Sequence, residues 1–430
     1  MHRFFKTDFF NFEFIRILST AQYGGCETGE ALKAASLIKD ADPETWSEAW
    51  FTQAKHAEGL AEEAARSGDV PSARAAYLRA ANYFRASQFM LNNRPPREDE
   101  RVIPRLEKSR ELFRKGVELL DDAKAYPLSI PIDDGVEIPG YLYVPVTPAK
   151  EDGGHPLLIN LTGGDSTQEE MFVVTAAAGP ARGYAVLTFD GPGQGILLKK
   201  NKLAMKPNYE VITSQVIDYI SRTESDPKTS HGIDLDRIAV VGASMGAYFA
   251  LRSAVDARIK ACISLDPPYD MWDLAVSRMP GWFIGGWSSG WISDGAFNNL
   301  VSVLSKFNFQ FKWEIQHMQW MFGADSPADA MRGLKTFTLK SPGGGEHVSN
   351  IKCPVLVSGA AGSMYFDPKL NSQKIYDALG HLPDEKKRHW LSDQVEDGGL
   401  QAKVGAFWVS NYRMFAWCDQ HLGVKRNPFL

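Results

Sequence analysis

The spacing of apolar positions changes once along the chain. Through residues 42–125 they recur three and four apart, in WSEAWFTQAKHAEGLAEEAARS and again in VPSARAAYLRAANYFRASQFML, the spacing of one face of a helix. The break Gly68-Asp69-Val70-Pro71 between these runs reads as the turn of a helix hairpin of the tetratricopeptide sort, whose alanines allow close approach. A further helix is expected over 102–120, after a turn at 92–96.

From Tyr126 the runs become short, apolar and β-branched, separated by Gly and Pro: LSIPI, GYLYVP, PLLINL, YAVLTFD, RIAVVGAS, ACISLD, CPVLVSG and KKRHWLS. Strands alternating with helical stretches imply an α/β fold built on a mostly parallel, doubly wound sheet. The first two runs should pair as a hairpin turning at Asp134-Gly135. Residues 267–338, rich in Trp, Phe, Met and Gly, read as a lid insertion whose aromatics line a site for a bulky, apolar substrate. The expected organisation is therefore a helical N-terminal cap or dimerisation domain over 1–125 and an α/β domain over 126–430.

Candidate chemistry sits on the strand-to-helix turns. Gly242-Ala243-Ser244-Met245-Gly246 follows a buried strand and precedes the helical run AYFALRSAV, the context in which G-x-S-x-G forms a nucleophile elbow. Ser244 is the expected nucleophile, and the helix start aims its dipole and free N–H groups at any oxyanion formed there. The loop after PLLINL, with Gly163, Gly164 and Asp165, is expected to supply the rest of the oxyanion hole beside the Met245 N–H. The glycine-rich FDGPGQG lacks a following Lys-Ser/Thr pair, so it is not read as a nucleotide loop, and Asp190 in it reads as a structural turn residue. These features together specify an α/β-hydrolase fold.

Composition narrows the partners. With 47 basic and 52 acidic residues the net charge is -5, which opposes nucleic-acid binding. Four widely separated cysteines show neither metal-ligand spacing nor a disulfide framework, and no cofactor or metal is expected. The Phe-rich start MHRFFKTDFFNFEFIRIL carries Asp8 and Glu13 and has no run long enough for a signal or a membrane span. It reads as an amphipathic segment docked on the protein or on a second subunit, and the chain as a cytoplasmic homodimer.

FDGPGQG, GASMG, TGGDSTQEE and GDVPSARAAYLRAANYFRAS together resemble the hydrolase group that contains the fermentation-respiration switch protein, 2,6-dihydroxypseudooxynicotine hydrolase, the fungal heptaketide pigment hydrolases and the prefusarin-type proteins. The resemblance spans nearly the whole chain and implies a helical domain covering the site. It also implies a Ser-Asp-His triad that in several members cleaves carbon–carbon bonds of polyketide chains. The Phe-rich start and GGLQAKVGAF look most like the prefusarin and cytochalasan-cluster branch, associated with ring formation in polyketide-peptide hybrids.

The chain departs from the triad. Where the family pattern places the acid stands Gly362; Asp367 is the nearest carboxylate in that loop and the candidate replacement. Where it places the histidine stands Gln401, which together with Asp165 is expected to contact substrate. His389 lies within an expected strand, and His347 and His317 are the other candidates for a base. Without an imidazole a serine is a poor nucleophile, yet the oxyanion hole can still stabilise an enolate or alkoxide. The leading expectation is an enzyme acting on a polyketide-derived or polyketide-peptide carbonyl substrate, by carbon–carbon hydrolysis or hydrolase-like cyclisation. A general carboxylesterase or lactonase and a non-catalytic binding protein stand as alternatives.

Overall fold

In the computed structural model, residues 2–93, 98–132, 135–149, 153–277 and 279–426 are described. The N-terminal part is helical: α1 (Asp8–Leu18), α2 (Thr28–Leu37), α3 (Pro43–Ser67), α4 (Val70–Phe89) and α5 (Val102–Val117). Local chemistry sets the α3–α4 hairpin. Asp42 caps the N–H groups of Glu44 and Thr45 at the start of α3, Gly68 ends it in the left-handed region at φ 78°, and Asp69 caps the next helix through Ser72. Alanines along both helices are buried and let them pack closely.

The remainder runs β1 (Ala123–Ile132), β2 (Val136–Pro145), β3 (His155–Leu161), α6 (Gln168–Val174), β4 (Ala185–Phe189), α7 (Gly195–Lys199), α8 (Tyr209–Ser225), β5 (Ile233–Ala243), α9 (Met245–Ser253) and β6 (Ile259–Leu265). Five helices follow: α10 (Met271–Ser277), α11 (Gly281–Ser288), α12 (Asp294–Leu304), α13 (Phe309–Phe322) and α14 (Pro327–Leu334). The chain closes with β7 (Val355–Ala360), α15 (Lys374–Ala378), β8 (Lys387–Ser392) and α16 (Phe407–Leu422).

One eight-stranded sheet has the order β1-β2-β4-β3-β5-β6-β7-β8. β1 pairs antiparallel with β2, as does β2 with β4, and all later pairs are parallel. The expected first hairpin forms; Asp134 of its turn lies outside the described residues, and Gly135 has φ 70°. The parallel strands place residues 162–165, Ser244, Asp266 and 361–363 on one edge of the sheet, where open α/β sheets bind ligands.

The N-terminal helices share a core with one face of the sheet, Trp46, Trp50 and Tyr83 clustering with Tyr143, Leu158, Val186 and Val241. The Phe-rich helix α1 docks within its own chain: Phe9 lies 5.3 Å from Trp313, Phe10 5.7 Å from Phe309, and Phe12 6.2 Å from Tyr365, centroid to centroid. Among the described residues, no helix is long and apolar enough to cross a membrane, and all four cysteines are free and buried.

Candidate active site

Ser244 is the single residue between β5 and α9, held at φ 56° and ψ −122°. An L-residue in that region stores strain of about 1–3 kcal/mol, which the surrounding backbone must over-determine. Its N–H donates to the Leu265 carbonyl at 2.9 Å. A Cβ on Gly242 would lie 2.0 Å from the Gly246 oxygen, and one on Gly246 2.3 Å from the Leu161 oxygen, so the motif glycines are required by backbone contact. Met245 opens α9, and its N–H belongs to the first turn, whose amides have no intrahelical acceptor.

The loop after β3 lies against this elbow: a Cβ on Gly164 would sit 3.3 Å from Met245 Cγ, and one on Gly163 3.4 Å from the Ala243 oxygen. Buried Gln194 sets the loop's orientation. Its Nε2 donates to the carbonyls of Thr162 and Gly163, while its Oε1 accepts from Gly191 N–H at 2.8 Å and Tyr209 O–H at 2.9 Å. Asp190 is structural, as its motif implied, accepting from the Gln168 N–H at 2.8 Å. The sequence reading assigned no role to Gln194, although its place between two glycines of a sheet-edge loop was the available signal.

The two positions at which the resemblance would place an acid and a histidine are Gly362 and Gln401. Gly362 N–H donates to the Gly399 carbonyl at 2.8 Å. Gln401 faces Ser244 across a small chamber of about 60 Å³, and both ends of its amide are engaged: Nε2 donates to the Asp266 carbonyl at 3.0 Å and Oε1 accepts from Ser363 Oγ. Beneath it, Lys403 Nζ pairs with Asp266 Oδ1 at 2.9 Å, both buried. Burial pushes the Lys403 ammonium below its ordinary value although Asp266 opposes this.

Asp367 does not replace the acid. It is exposed and its carboxylate caps the N–H groups of Lys369 and Leu370, because the loop turns outward into the next helical segment. His389 remains in β8, with Nε2 3.1 Å from Ser372 Oγ, and His347 Nε2 lies 3.0 Å from the Arg252 carbonyl. Neither lines the space over Ser244.

That space is a cavity of about 250 Å³ between the elbow and the helices over 271–334. The lid was expected to line it with aromatics; methionines do more of this work, with Met271, Met279, Met318, Met321 and Met331 on the wall beside Phe311 and Trp313. Trp282, Trp291 and Phe307 are exposed instead, and Trp287 stacks on Phe297 at 4.5 Å inside the lid. Flexible thioethers make an adaptable apolar wall.

Of the three candidate histidines, His317 on α13 lines this cavity with Ser244. Its Nε2 lies 2.9 Å from the Gly164 carbonyl, and its ring stacks on Trp313 at 4.8 Å. Burial pushes the imidazole down to about 4, and Lys199 adds to the shift.

Asp165 faces the same cavity and the small chamber behind it. Behind Asp165 stands a charged cluster brought by α1. Arg16 donates to Glu170 through Nε and Nη2 at 2.6 Å each, to Asp165 at 3.2 Å and to Ser166 at 2.9 Å; Arg85 adds a second cation 3.3 Å from Glu170. Burial alone would raise the Asp165 carboxyl, but Arg16, His317 and Arg85 outweigh it and hold it below its ordinary value. Burial carries Glu13 up to about 8 despite Arg16, so at neutral pH two cations face two carboxylates. Arg16 was missed in the sequence; the signal was an Arg three residues after Glu13 inside an aromatic helix. Among the described residues no three metal-binding side chains come together.

Residues 157–399 match the model of the alpha/beta hydrolase family. The alpha/beta hydrolase psoB of Aspergillus fumigatus is 48% identical over 100% of this chain and 96% of its own length. The 20-hydroxy-prefusarin hydrolase FUS2 of Gibberella moniliformis is 46% identical over 99% of this chain and 100% of its own. In structure, 2,6-dihydroxy-pseudo-oxynicotine hydrolase aligns with a TM-score of 0.69 at 23% identity, covering 96% of this chain and 98% of that one, a likeness of fold. An intact elbow, a family match over 157–399 and full-length relatives agree: the chain belongs to the alpha/beta hydrolase family and is an enzyme of it.

Proposed function

We propose that this enzyme holds a bulky, largely apolar, polyketide-derived carbonyl compound over Ser244 and stabilises negative charge on its carbonyl oxygen. The reaction is carbon–carbon bond chemistry at that carbonyl, hydrolysis or a hydrolase-like ring-forming condensation, and the ring-forming branch is the better supported. One observation carries this reading: Gln401, in the place of the imidazole, has its amide held at both ends and cannot take the serine proton. Without that transfer, acyl-enzyme chemistry loses orders of magnitude, while the helix start at Met245 and the Gly163–Gly164 loop still favour an enolate or alkoxide. The name of the FUS2 relative, a 20-hydroxy-prefusarin hydrolase, supports the substrate class. Asp165 and Gln401 are the polar groups expected to meet substrate, the latter from the chamber behind Ser244. The same reading places the enzyme in the cytoplasm as a homodimer, which light scattering checks against the chain mass of 47.7 kDa.

The test uses two probes. The α-protons of 2-acetonaphthone should exchange with D2O at least about tenfold faster with the enzyme than with Ser244→Ala, and p-nitrophenyl butyrate should turn over no faster than with that variant. Brisk ester turnover lost in Ser244→Ala would replace this reading with a carboxylesterase. Absence of both activities in a protein that still binds 2-acetonaphthone would favour a binding protein.

A further inference from the structure

A ligand longer than the apolar cavity over Ser244 must place its far end elsewhere, and a second space adjoins that cavity. It is an outer groove of about 790 Å³, bordered by α10 and by the chain over 361–377. Its wall is mixed: Val276 and Leu370 stand beside Asp273, Ser277, Asp367 and Lys369, and these four polar residues are exposed. Cavity and groove have Leu274 and Tyr365 in common, both of them partly exposed. Tyr365 also borders the small chamber, so among the described residues it is the one residue common to all three spaces.

The two banks of this junction come from different parts of the fold. Leu274 is carried by the lid helix α10, whose first turn is capped where Asp270 accepts from the Asp273 N–H at 2.9 Å. Tyr365 is carried by the loop at the sheet edge, and that loop is pinned. Ser363 Oγ accepts from the N–H groups of Tyr365 and Phe366 at 3.1 and 2.9 Å and donates to Gln401 Oε1, while the Tyr365 ring stands edge-on to Phe12 at 6.2 Å. A polar end left among the methionines of the cavity would lose its water without gaining partners, whereas the same end in the groove meets solvent and exposed polar side chains.

We infer that the groove is the outer subsite of the same binding site, reached between Leu274 and Tyr365, and that Tyr365 sets the length at which a ligand leaves the apolar cavity. The substrate class is thus an amphiphilic ketone. An apolar stretch of limited length adjoins its carbonyl, and a polar end, hydroxyl or amide, lies in the groove. The carbonyl's place at Ser244 rests on the proposed function, but the place of the polar end is read by binding alone. Tyr365 acts in this as a wall, not as an acid or a base.

The experiment compares the 2-alkanones from 2-hexanone to 2-tetradecanone with their ω-hydroxy counterparts, by displacement of a fluorescent apolar dye from the full-length enzyme. In the wild type the hydroxyl should weaken binding about tenfold or more in short members, whose end is buried in the cavity, and less than about twofold in long ones, whose end reaches the groove. Tyr365→Ala removes the wall and should move this change to shorter chains. Where Tyr365→Ala fails to fold, the wild type decides: a long 2-alkanone carrying a terminal diazirine should, on irradiation, label peptides within 269–277 or 361–377. A hydroxyl penalty equal at every length, a change of length unmoved in folded Tyr365→Ala, or labelling elsewhere in the chain would overturn the assignment. Failure of proton exchange in the wild type with the length pattern intact bears on the proposed function and leaves the groove untouched.

Discussion

Ser244 and Asp165 border two spaces that differ in what stands behind their walls. The larger, about 250 Å³, is walled by α10, α13 and α14 with methionine and aromatic side chains. The smaller, about 60 Å³, reaches toward α1, where Arg16, Glu170, Ser166 and Gln401 join a wall of Phe12, Met171, Val174, Val404 and Phe407. The first recognises by fit, since thioethers adapt and hold few fixed dipoles. The second fixes charge, since Arg16, Arg85, Asp165 and Glu170 interlock where water is excluded and each holds the next in place. Neither character comes from the sheet. The sheet supplies the elbow and the Gly163–Gly164 loop, while the helices before β1 supply the charged side and those between β6 and β7 the apolar one.

The largest test of this division is removal of the charged side. A chain starting at residue 126 loses Arg16 and exposes the sheet face on which Trp46, Trp50 and Tyr83 pack with Tyr143, Leu158 and Val241. It should aggregate and show no activity, read by solubility and circular dichroism. A soluble, fully active truncated chain would make the two spaces independent.

Single changes sharpen the charge count. Arg16→Met leaves Asp165 and Glu170 buried with fewer partners and should cost about 3–5 kcal/mol in urea unfolding. Glu13→Gln should cost under about 1 kcal/mol at neutral pH, because the carboxyl it replaces is already protonated there. The pH dependence carries the sign. Glu13 holds its proton up to about 8 in the folded chain and releases it near 4.5 when unfolded. The folded state therefore binds more protons in between, and the stability owed to this group falls as pH rises through that window, by about 1.4 kcal/mol per unit. Glu13→Gln should remove that slope, and an unchanged slope would show Glu13 ionised.

On the apolar side, kcat/KM should not rise through pH 6 to 7. The cavity histidine is pushed down to about 4, so activity should fall only as pH approaches that value and Nδ1 is protonated. His347→Ala and His389→Ala should stay within about twofold of wild type. A rise near pH 6.5 lost in either variant would restore a conventional base.

Gln401→His should also change little. It places an imidazole opposite Ser244 without a carboxylate to orient it, so p-nitrophenyl butyrate turnover should stay within a few-fold of wild type. Adding Gly362→Asp brings a Cβ to 2.9 Å from the Gly399 carbonyl, and the pair should lose stability before it gains esterase activity.

Most of the catalytic edge was legible in the sequence because it depends on local rules. G-x-S-x-G between a strand and a helix can be satisfied only by a left-handed serine flanked by residues without side chains, and Ser244 has that geometry. The α3–α4 hairpin was legible for the same reason, with Asp, Gly and Pro marking its turn. Gly362 and Gln401 stand where the family resemblance would place an acid and a histidine, and that reading belongs to the proposed function. Asp367 misled, because closeness in sequence to the acid position says nothing about the direction its loop takes, and its carboxylate is spent on capping Lys369 and Leu370.

The sequence by itself determined the alternation of strands and helices and the elbow, since each follows from neighbours a few residues apart. Only the tertiary structure decided that Arg16 would meet Glu170, 154 positions away, that Gln194 would hold the Thr162 and Gly163 carbonyls, and that His317 rather than His389 or His347 would share a cavity with Ser244. These pairings are long-range. Their partners are chosen by how helices outside the sheet pack over its edge, and buried polar groups find hydrogen-bond partners only after that packing has brought distant segments together.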